Sequence, residues 1–374
     1  MAIPFTVAEY FAGIGLVRLG LEMAGWRIVF ANDISDKKAE MYKAFFPERH
    51  DHYVIRDVFE LDPAAIPPAM LATCSFPCID LSLAGNMNGI SDGKHSSAFW
   101  GFTRILKAQA EKAPPIVMVE NVPGWLYSNN GADFRLTVQA LNDLGYSCDI
   151  FTLDALRFTA QSRLRVFLIG VKGASSTASL EQMLCRPQSL LSDAMRKSLL
   201  INTDLKWIYL EIPAPPPLKR NGLSEIVEQF PDDDRRWWSQ DEVDRHLRMM
   251  NKTHYDRVVE LCEQDEVAYR TFYRRRRNGF QRAEVRDDDL SGCLRTAVGG
   301  SGKQFLIKIS KGNIKMRTMT PREYARLQGV PDSYPITVND VQALTGFGDA
   351  VCVPAIAWIG QHVLNPIAQE LEYA

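Results

Sequence analysis

Glycines and carboxylates that suit nucleoside binding follow the first predicted strands. The stretch "FTVAEYF" is typical of a buried strand, and it runs into a turn with Gly13 and Gly15 before the helical "LVRLGLEMAG". Glycines at such a junction let a ligand approach the backbone and the helix N-terminus. Asp33 ends the next strand, where a carboxylate can hold two ribose hydroxyls, and Asp57 ends the third, where it can accept from an adenine amino group. A nucleoside, a dinucleotide or a purely structural turn remain open at this point.

A dinucleotide fingerprint requires a third glycine three residues after Gly15. That position is Arg18. A nicotinamide dehydrogenase is therefore disfavoured.

Three further stretches place nucleophilic, acidic and cationic side chains near strand ends. They are "SFPCIDLS" with Cys78, "VMVENVPG" with Glu120 and Asn121, and "AQSRLRVFLIG" with Arg163 and Arg165. Each alone has an ordinary explanation, because a lone cysteine is usually a small core residue and an acid at a strand end is usually solvated. Alternation of arginine with apolar residues is also typical of a half-exposed strand. Only the joint pattern indicates chemistry.

The elements that carry these residues alternate between strand and helix over residues 1–170. Further strands are predicted at "WRIVFAND", "HYVIRD", "AMLATCS", "PIVMVENV" and "LRVFLIGV", with helical stretches between several of them. This pattern predicts a doubly wound α/β sheet, in which active groups collect at the carboxyl ends of the strands. The candidate residues fall at those ends.

The bulk properties exclude several classes of protein. The longest apolar runs are short and interrupted by charge, so we expect no membrane-spanning segment. The N-terminus lacks the features of a signal peptide, and seven cysteines in such a chain suggest reduced thiols. Cys74 and Cys78 have no second pair at zinc spacing, so no metal site is expected.

The region after about residue 172 has a different composition. The stretches "GASSTAS" and "EIPAPPPLKR" resemble linkers, and "SQDEVDRHLRMMNKTHYDRVVELCEQDEVA" predicts one long helix or two short ones. The net charge is only −2, but seven arginines and a single acid, Glu284, lie between Arg270 and Arg286. A local basic face suffices to bind phosphates, although a solvated charge run would look the same.

Taken together, the "FAGIG" turn and the Cys78, Glu120 and Arg165 stretches resemble, in order and spacing, the signature blocks of the cytosine-5 DNA methyltransferases. The stretch "RTMTPREYARLQGVPDSYP" is similar to the family's ninth block, and "GFGDAVCVPAIAWIGQHVL" resembles its tenth. The resemblance covers roughly residues 5–170 and 295–365. It implies an α/β, Rossmann-like S-adenosylmethionine-dependent methyltransferase domain with a smaller, irregular target-recognition domain. The expected boundaries are 1–175 completed by 340–374 for the catalytic domain, and 176–339 for target recognition and hinge.

The resemblance also implies roles for individual residues. Cys78 would attack C6 of a flipped-out cytosine, because only a thiolate combines adequate population with high nucleophilicity at neutral pH. Glu120 would act at N3 and Arg165 at O2, with Asn121 and Arg163 supporting the loop. The sequence does not identify the base that removes the C5 proton. The implied S-adenosylmethionine site, which would release S-adenosylhomocysteine, comprises Phe11, Ala12, Gly13, Ile14, Gly15, Asp33, Ile34, Asp57, Val58, Pro77, Asp349 and Val351.

The expected substrate is double-stranded DNA. Flipping a base requires phosphate contacts that hold the opened duplex, and the expected DNA-binding residues are Arg274, Arg275, Arg276, Arg277, Gly299 and Gly300. The compact length resembles bacterial or phage enzymes of restriction-modification or other defence systems. A cytoplasmic, nucleoid-associated monomer with cognate restriction or defence proteins is the corresponding expectation.

The chain departs from the family pattern at several positions. After the Pro-Cys pair the family usually has glutamine, but here the residue is Ile79, followed by Asp80. Ala160 replaces a proline, and Asp349 replaces an asparagine. None of these changes removes a catalytic group. We expect them to affect the rate of methyl transfer and the DNA sequence context more than the class of reaction.

Two alternatives remain beside a DNA-methylating enzyme. One keeps the chemistry and changes the substrate to RNA, and the long arginine-rich middle region disfavours it. The other is a non-catalytic DNA-binding or regulatory subunit. The intact Cys78, Glu120 and Arg165 argue against that possibility.

Overall fold

The computed structural model describes residues 5–47, 51–77, 98–174, 179–295 and 302–373. The chain divides into two compact units. Unit 1 comprises Met1–Asp154, Leu164–Pro215 and Ala355–Ala374, and unit 2 comprises Ala155–Arg163 and Pro216–Pro354.

Unit 1 is built on a seven-stranded sheet in the order β3-β2-β1-β4-β5-β7-β6. Neighbouring strands from β3 to β5 are parallel, whereas β7 is antiparallel to both β5 and β6. The strands are β1 (Thr6–Tyr10), β2 (Arg27–Asp33), β3 (Tyr53–Ile55), β4 (Leu71–Cys74), β5 (Ile116–Asn121), β6 (Tyr146–Asp154) and β7 (Leu164–Lys172). Every residue of β1, β4 and β5 is buried, as expected for strands covered on both faces.

The helices of unit 1 follow the strands in chain order. Those before Pro215 are α1 (Leu16–Met23), α2 (Asp36–Phe45), α3 (Ala98–Gln109), α4 (Ala132–Asp143), α5 (Ser179–Leu184) and α6 (Asp193–Ile201). Ser35 caps the N-terminus of α2 by accepting a hydrogen bond from the backbone of Lys38, the usual role of a serine at that position. The predicted α/β class is confirmed, and so are the six predicted strands, which correspond to β1 to β5 and β7.

One strand was missed: β6, with the sequence "YSCDIFTLD". Its outer edge is covered by residues 190–210, since Thr152 donates to Leu190 and Cys148 exchanges backbone hydrogen bonds with Lys206 and Ile208. A buried ion pair between Arg186 and Asp149 reinforces this cover, with Nη1 and Oδ1 2.5 Å apart.

Those contacts explain why residues up to Pro215 belong to unit 1, whereas the sequence suggested a boundary near residue 175. Residues 340–354, expected with the catalytic domain, are grouped with unit 2. The Gln328 side-chain amide donates to the carbonyls of Phe347 and Ala350 and ties this segment to unit 2. The division into catalytic and target-recognition functions stays a prediction.

Unit 2 contains a four-stranded antiparallel sheet in the order β11-β10-β8-β9, so it is more regular than the sequence indicated. Its strands are β8 (Ala268–Arg277), β9 (Phe280–Val285), β10 (Phe305–Ser310) and β11 (Asn313–Thr318). Its helices are α7 (Leu223–Ile226), α8 (Gln240–Arg248), α9 (Lys252–Cys262), α10 (Pro321–Leu327) and α11 (Asp340–Asp349). The stretch predicted as one or two helices is therefore two.

The chain ends with α12 (Val353–Ile359) and α13 (Asn365–Tyr373). By length and composition, Asp340–Glu372 is apolar enough to cross a membrane, contrary to the expectation from the apolar runs. However, 78% of its most apolar window is buried inside the protein. That burial is typical of a core helix, and the segment is weak support for a membrane span.

Glu9 in the middle of β1 is a carboxyl group inside the core of unit 1. It is 1% exposed, and burial raises the pKa of Glu9 from 4.5 to about 8, although the nearby Arg18 partly offsets this rise. Arg18 is itself ion-paired with Glu22 at 2.7 Å. A carboxyl group with a folded-state pKa above its unfolded value binds its proton more tightly in the folded protein.

Stability should therefore decrease as pH rises from about 4.5 to about 8, because ionisation favours the unfolded chain over this interval. We expect Glu9→Gln to raise the free energy of unfolding at pH 8 by roughly 3–5 kcal/mol and to have little effect near pH 4.5. Denaturant unfolding at both pH values measures this difference. Glu40→Gln is the control, since it removes an exposed carboxylate of the same unit, paired with Lys37 at 3.3 Å, and should not stabilise. An equal effect of Glu9→Gln at both pH values would contradict the assignment.

Candidate active site

The turn after β1 has the geometry of a ligand-binding loop. Phe11, Gly13 and Gly15 all have positive φ angles, of 60°, 55° and 83°. The backbone N–H of Gly13 donates to Oδ2 of Asp33 at 2.9 Å, and the Tyr53 hydroxyl donates to the Gly13 carbonyl at 2.9 Å. The loop is thus fixed by side chains from β2 and β3.

Asp33 binds the backbone on both sides of the loop. Its Oδ1 accepts from the N–H of Ser35 at 2.9 Å, while Oδ2 accepts from Gly13. An ionised carboxylate offers about four acceptor positions. Two therefore remain for a pair of ribose hydroxyls. The adjacent Ile34 is 69% exposed, which leaves an apolar side chain available beside the carboxylate.

The other expected cofactor residues divide into several environments. Oδ1 of Asp57 accepts from the N–H of Phe59 at 2.9 Å and so starts a short 3-10 turn. Val58 is a buried core residue, and Val351 is also buried. Asp349 is exposed at the end of α11. Contacts of all these residues with a cofactor stay a prediction.

Glu120 and Arg165 are brought together by the antiparallel pairing of β5 with β7. Glu120 lies opposite Phe167, and Asn121 lies opposite Val166. Nε of Arg165 is 3.0 Å from Oε1 of Glu120, and the two side chains are 13% and 10% exposed. A carboxyl group and a guanidinium therefore share one nearly buried position at the end of β5.

Asn121 connects this position to the loop after β4. Its Nδ2 donates to the carbonyl of Phe76 at 3.3 Å, and its Oδ1 accepts from the N–H of Val122 at 2.8 Å. Phe76 lies two residues before Cys78. The expected supporting role of Asn121 stays a prediction, and this contact is compatible with it. Cys78 itself, with Ile79 and Asp80, lies outside the described residues, as do Gly299 and Gly300.

Arg163 belongs to unit 2, where its guanidinium binds backbone carbonyls. Nη1 donates to Leu294 at 2.8 Å, and Nη2 donates to Gly348 at 3.1 Å and Ala350 at 2.7 Å. These contacts hold two separate segments of unit 2 in place. They support a positioning role for Arg163.

The arginine cluster lies on the hairpin formed by β8 and β9, which the sequence did not predict as strands. Arg277 is ion-paired with Glu284, whose carboxylate also accepts from the Tyr273 hydroxyl. The Arg274 guanidinium lies 4.8 Å from the centre of the Phe305 ring. Two of the four expected DNA-binding arginines are therefore engaged within the protein, and Arg275 and Arg276 are exposed.

The sheet order and the glycine loop after β1 are those of a Rossmann-like, S-adenosylmethionine-dependent methyltransferase. The family model of the C-5 cytosine-specific DNA methylases matches residues 5–365, and the chain belongs to that family. The expected fold class and enzyme class are confirmed.

Relatives resemble this chain in sequence, and solved structures share its fold. The chain is 26% identical to Type II methyltransferase M.NlaX of Neisseria lactamica, with 96% of each chain covered. It is also 26% identical to Type II methyltransferase M.HpaII of Haemophilus parainfluenzae, with 97% of this chain and 90% of that one covered. The crystal structure of S. pombe Dnmt2 methyltransferase shares the fold at a TM-score of 0.60 and 16% identity, covering 97% of this chain and 99% of that chain. The Entamoeba histolytica methyltransferase EhMeth gives a TM-score of 0.63 at 13% identity, with the same coverage.

Among the described residues, no group of three or more histidine, cysteine, aspartate or glutamate side chains is arranged to hold a metal ion.

The glycine loop generates a test with a matched control. A Cβ at Gly15 would lie 2.6 Å from Cδ2 of Tyr42, whereas a Cβ at Gly25, also at positive φ, would have nothing within 4 Å. Gly25→Ala should cost about 1–2 kcal/mol from backbone strain alone. Gly15→Ala should cost about 3 kcal/mol or more, because the clash adds to the strain.

Thermal unfolding and S-adenosylmethionine titration of both variants measure this difference. Of the two variants, we expect only Gly15→Ala to weaken S-adenosylmethionine binding, because the loop must shift to relieve the clash with Tyr42. Equal stability losses with unchanged cofactor affinity would show that Gly15 does not shape the site.

Proposed function

We propose that this protein methylates C5 of a cytosine flipped out of a specific duplex DNA sequence, through a transient covalent bond from Cys78 to C6. The observation that carries the proposal is the Glu120–Arg165 pair, 3.0 Å apart and nearly buried at the end of β5. The ring nitrogen N3 and the exocyclic carbonyl oxygen O2 lie on one edge of cytosine, where a neighbouring acid and cation can stabilise the charge that develops on them.

The chemistry assigns a step to each group. The Cys78 thiolate adds to C6, and its electron pair passes through the ring towards N3 and O2. Glu120 shares a proton with N3, and the Arg165 guanidinium stabilises the charge on O2. The enamine carbon C5 then takes the methyl group. Loss of the C5 proton to a base returns the electrons and expels the Cys78 thiolate.

Bound S-adenosylmethionine would supply the electrophilic methyl group. The loop from Phe11 to Gly15 and the two remaining acceptor positions of Asp33 fit its nucleoside. Asn121 contributes by holding the Phe76 carbonyl, which fixes the chain just before Pro77. This buried hydrogen bond anchors the main chain two residues before Cys78.

The proposal extends to a biological setting. The relatives named above are Type II methyltransferases, which supports a modification role in a restriction-modification or phage-defence system. Bisulfite sequencing of DNA from a host that expresses the chain would identify the target sequence. Transfer of methyl groups to tRNA in preference to duplex DNA would instead favour the RNA alternative.

Duplex DNA with 5-fluorocytosine at the target tests the covalent route. Fluorine cannot leave as a proton does, so the adduct with Cys78 should accumulate and resist denaturing electrophoresis. Cys78→Ser should abolish both methyl transfer and trapping while retaining cofactor binding. Methylation of unmodified DNA without any trapping would refute the covalent mechanism, and an unchanged biological phenotype with Cys78→Ala would favour the non-catalytic alternative.

The acid–cation pair predicts a loss of turnover when either side chain is neutralised. We expect Glu120→Gln and Arg165→Gln to lower kcat by roughly 10²–10³-fold with little change in cofactor affinity. Arg135→Gln is the control, since it breaks a surface pair with Asp204, at 2.8 Å between Nη1 and Oδ1, in the same unit. Single-turnover rates would contradict the assignment if all three variants lost activity equally.

A further inference from the structure

The hairpin of β8 and β9 extends beyond the sheet of unit 2. Strand β10 pairs with β8 only as far as Phe272. Residues Tyr273–Arg277 and Phe280–Glu284, here called the arm, therefore pair only with each other within the described sheet. Asn278 and Gly279 join them with φ angles of 50° and 82°. Two positive φ angles in an Asn-Gly pair are typical of a type I′ turn, which matches the twist of the strands.

The register separates the arm into two faces. Residues directly opposite in an antiparallel pair project to the same side, and successive residues alternate. Arg275 lies opposite Arg282, and Arg277 lies opposite Phe280. These residues form the outer face. Arg274 lies on the inner face, where it packs over Phe305 of the unit 2 core.

The outer face has an electrostatic arrangement that is unfavourable in the isolated protein. Arg275 and Arg282 are directly opposite each other, and like charges in that position destabilise a sheet. Neither has an ion-pair or hydrogen-bond partner among the residues that the structure describes. The Glu284 carboxylate, the one acid of the arm, is ion-paired with Arg277 and also attracts Arg275, so a single negative charge offsets only part of the repulsion. A polyanion would relieve this repulsion.

The tip of the arm also exposes an aromatic side chain. Phe280 is 67% exposed, and the Arg282 guanidinium lies 5.9 Å from the centre of its ring. An apolar ring beside two arginines suits a partner with both anionic and apolar surfaces. In a duplex, thymine methyl groups and base edges provide apolar surface between the phosphates.

We propose that the arm inserts into the major groove of duplex DNA as a two-stranded ribbon, with its outer face against the base edges. This inference rests on the proposed function. The major groove, about 12 Å wide and 8.5 Å deep, admits a two-stranded ribbon. Ala283 and Glu284 are buried, so the part of the arm that can enter the groove is Arg275–Arg277 and Phe280–Arg282. Three residues per strand span about 10 Å, which is sufficient to reach the floor of the groove.

The two faces then have different tasks. Arg275 and Arg282 lie within reach of guanine O6 and N7, the acceptors that arginine reads in this groove, and Phe280 contacts apolar base-edge surface. Arg276 is exposed on the other face and contacts a phosphate. The outer face therefore determines specificity, and Arg276 contributes affinity for any sequence.

The experiment compares three variants on the duplex that bisulfite sequencing identifies as the target. Arg275→Gln with Arg282→Gln tests the outer face, and Arg276→Gln tests the phosphate contact. Arg220→Gln with Arg235→Gln is the charge-matched control, because both are exposed arginines of unit 2 outside the arm. Fluorescence anisotropy gives Kd for the target and for duplexes with single base-pair changes, over a range of salt concentrations. Cofactor affinity and thermal unfolding verify that each variant is folded.

We expect the outer-face variant to reduce the ratio of target to altered-duplex affinity by about fivefold or more. Arg276→Gln should weaken binding to all duplexes equally and lower the slope of log K against log salt by about 1. Dimethyl sulfate should modify guanine N7 in the target less when wild-type protein is bound, and this protection should decrease with the outer-face variant.

Two results would overturn the inference. The first is that the outer-face variant has the same ratio of target to altered-duplex affinity as the control. The second is that binding of the wild-type protein does not change the reactivity of guanine N7 towards dimethyl sulfate. If the wild-type protein still transfers methyl groups, either result would reject the role of the arm in base readout and leave the proposed function intact. Absence of methyl transfer by the wild-type protein would reject the proposed function itself.

Discussion

The reversed direction of β7 is the constraint on which the candidate catalytic centre depends. Arg165 lies near the start of β7, and Glu120 lies near the end of β5. Two parallel neighbours would place those positions at opposite edges of the sheet. Because β7 runs antiparallel, its start meets the end of β5, and the guanidinium comes within 3.0 Å of the carboxylate. The same edge receives the end of β4, from which the loop towards Cys78 departs.

Burial of this pair favours a positioning role over a stabilising one. Removing two charges from water is costly, and their mutual attraction repays that cost only with good geometry and further hydrogen bonds. Arg165 gains a further bond, since Nη1 donates to the Leu164 carbonyl at 2.8 Å. A pair held in this way is prepared to interact with a polar ring without reorganising, which is the property that stabilises charge as it develops in a reaction.

The sequence predicted those parts of the fold that depend on local pattern. The glycine turn, the early strands and Asp33 at the end of β2 follow from residue type and spacing alone. Strand β6 was missed because polar residues interrupt its apolar pattern, and its Asp149 is satisfied by Arg186, 37 residues away. Such a partner is visible only once the chain has folded.

The arginine cluster shows the same limit in another form. A run of four arginines hides the alternation of a strand, so neither the hairpin nor its two faces could be predicted. The cross-strand register shows that Arg275 faces another arginine, and the ion pair with Glu284 distinguishes Arg277 from it. The register also adds Arg282 and Phe280, which the sequence gave no reason to select.

Pairing inside the protein also reconciles a net charge of −2 with a polyanionic substrate. Arg163 binds backbone carbonyls, and Arg317 forms a fully buried pair with Glu323. Such buried, internally bonded arginines are included in the net charge but contribute little to the electrostatic potential outside the protein. Affinity for phosphates depends on cations that remain exposed, and exposed pairs are screened within about 8 Å at physiological salt. A few arginines concentrated on one projecting hairpin can therefore dominate the local potential, whatever the balance of charge over the rest of the chain.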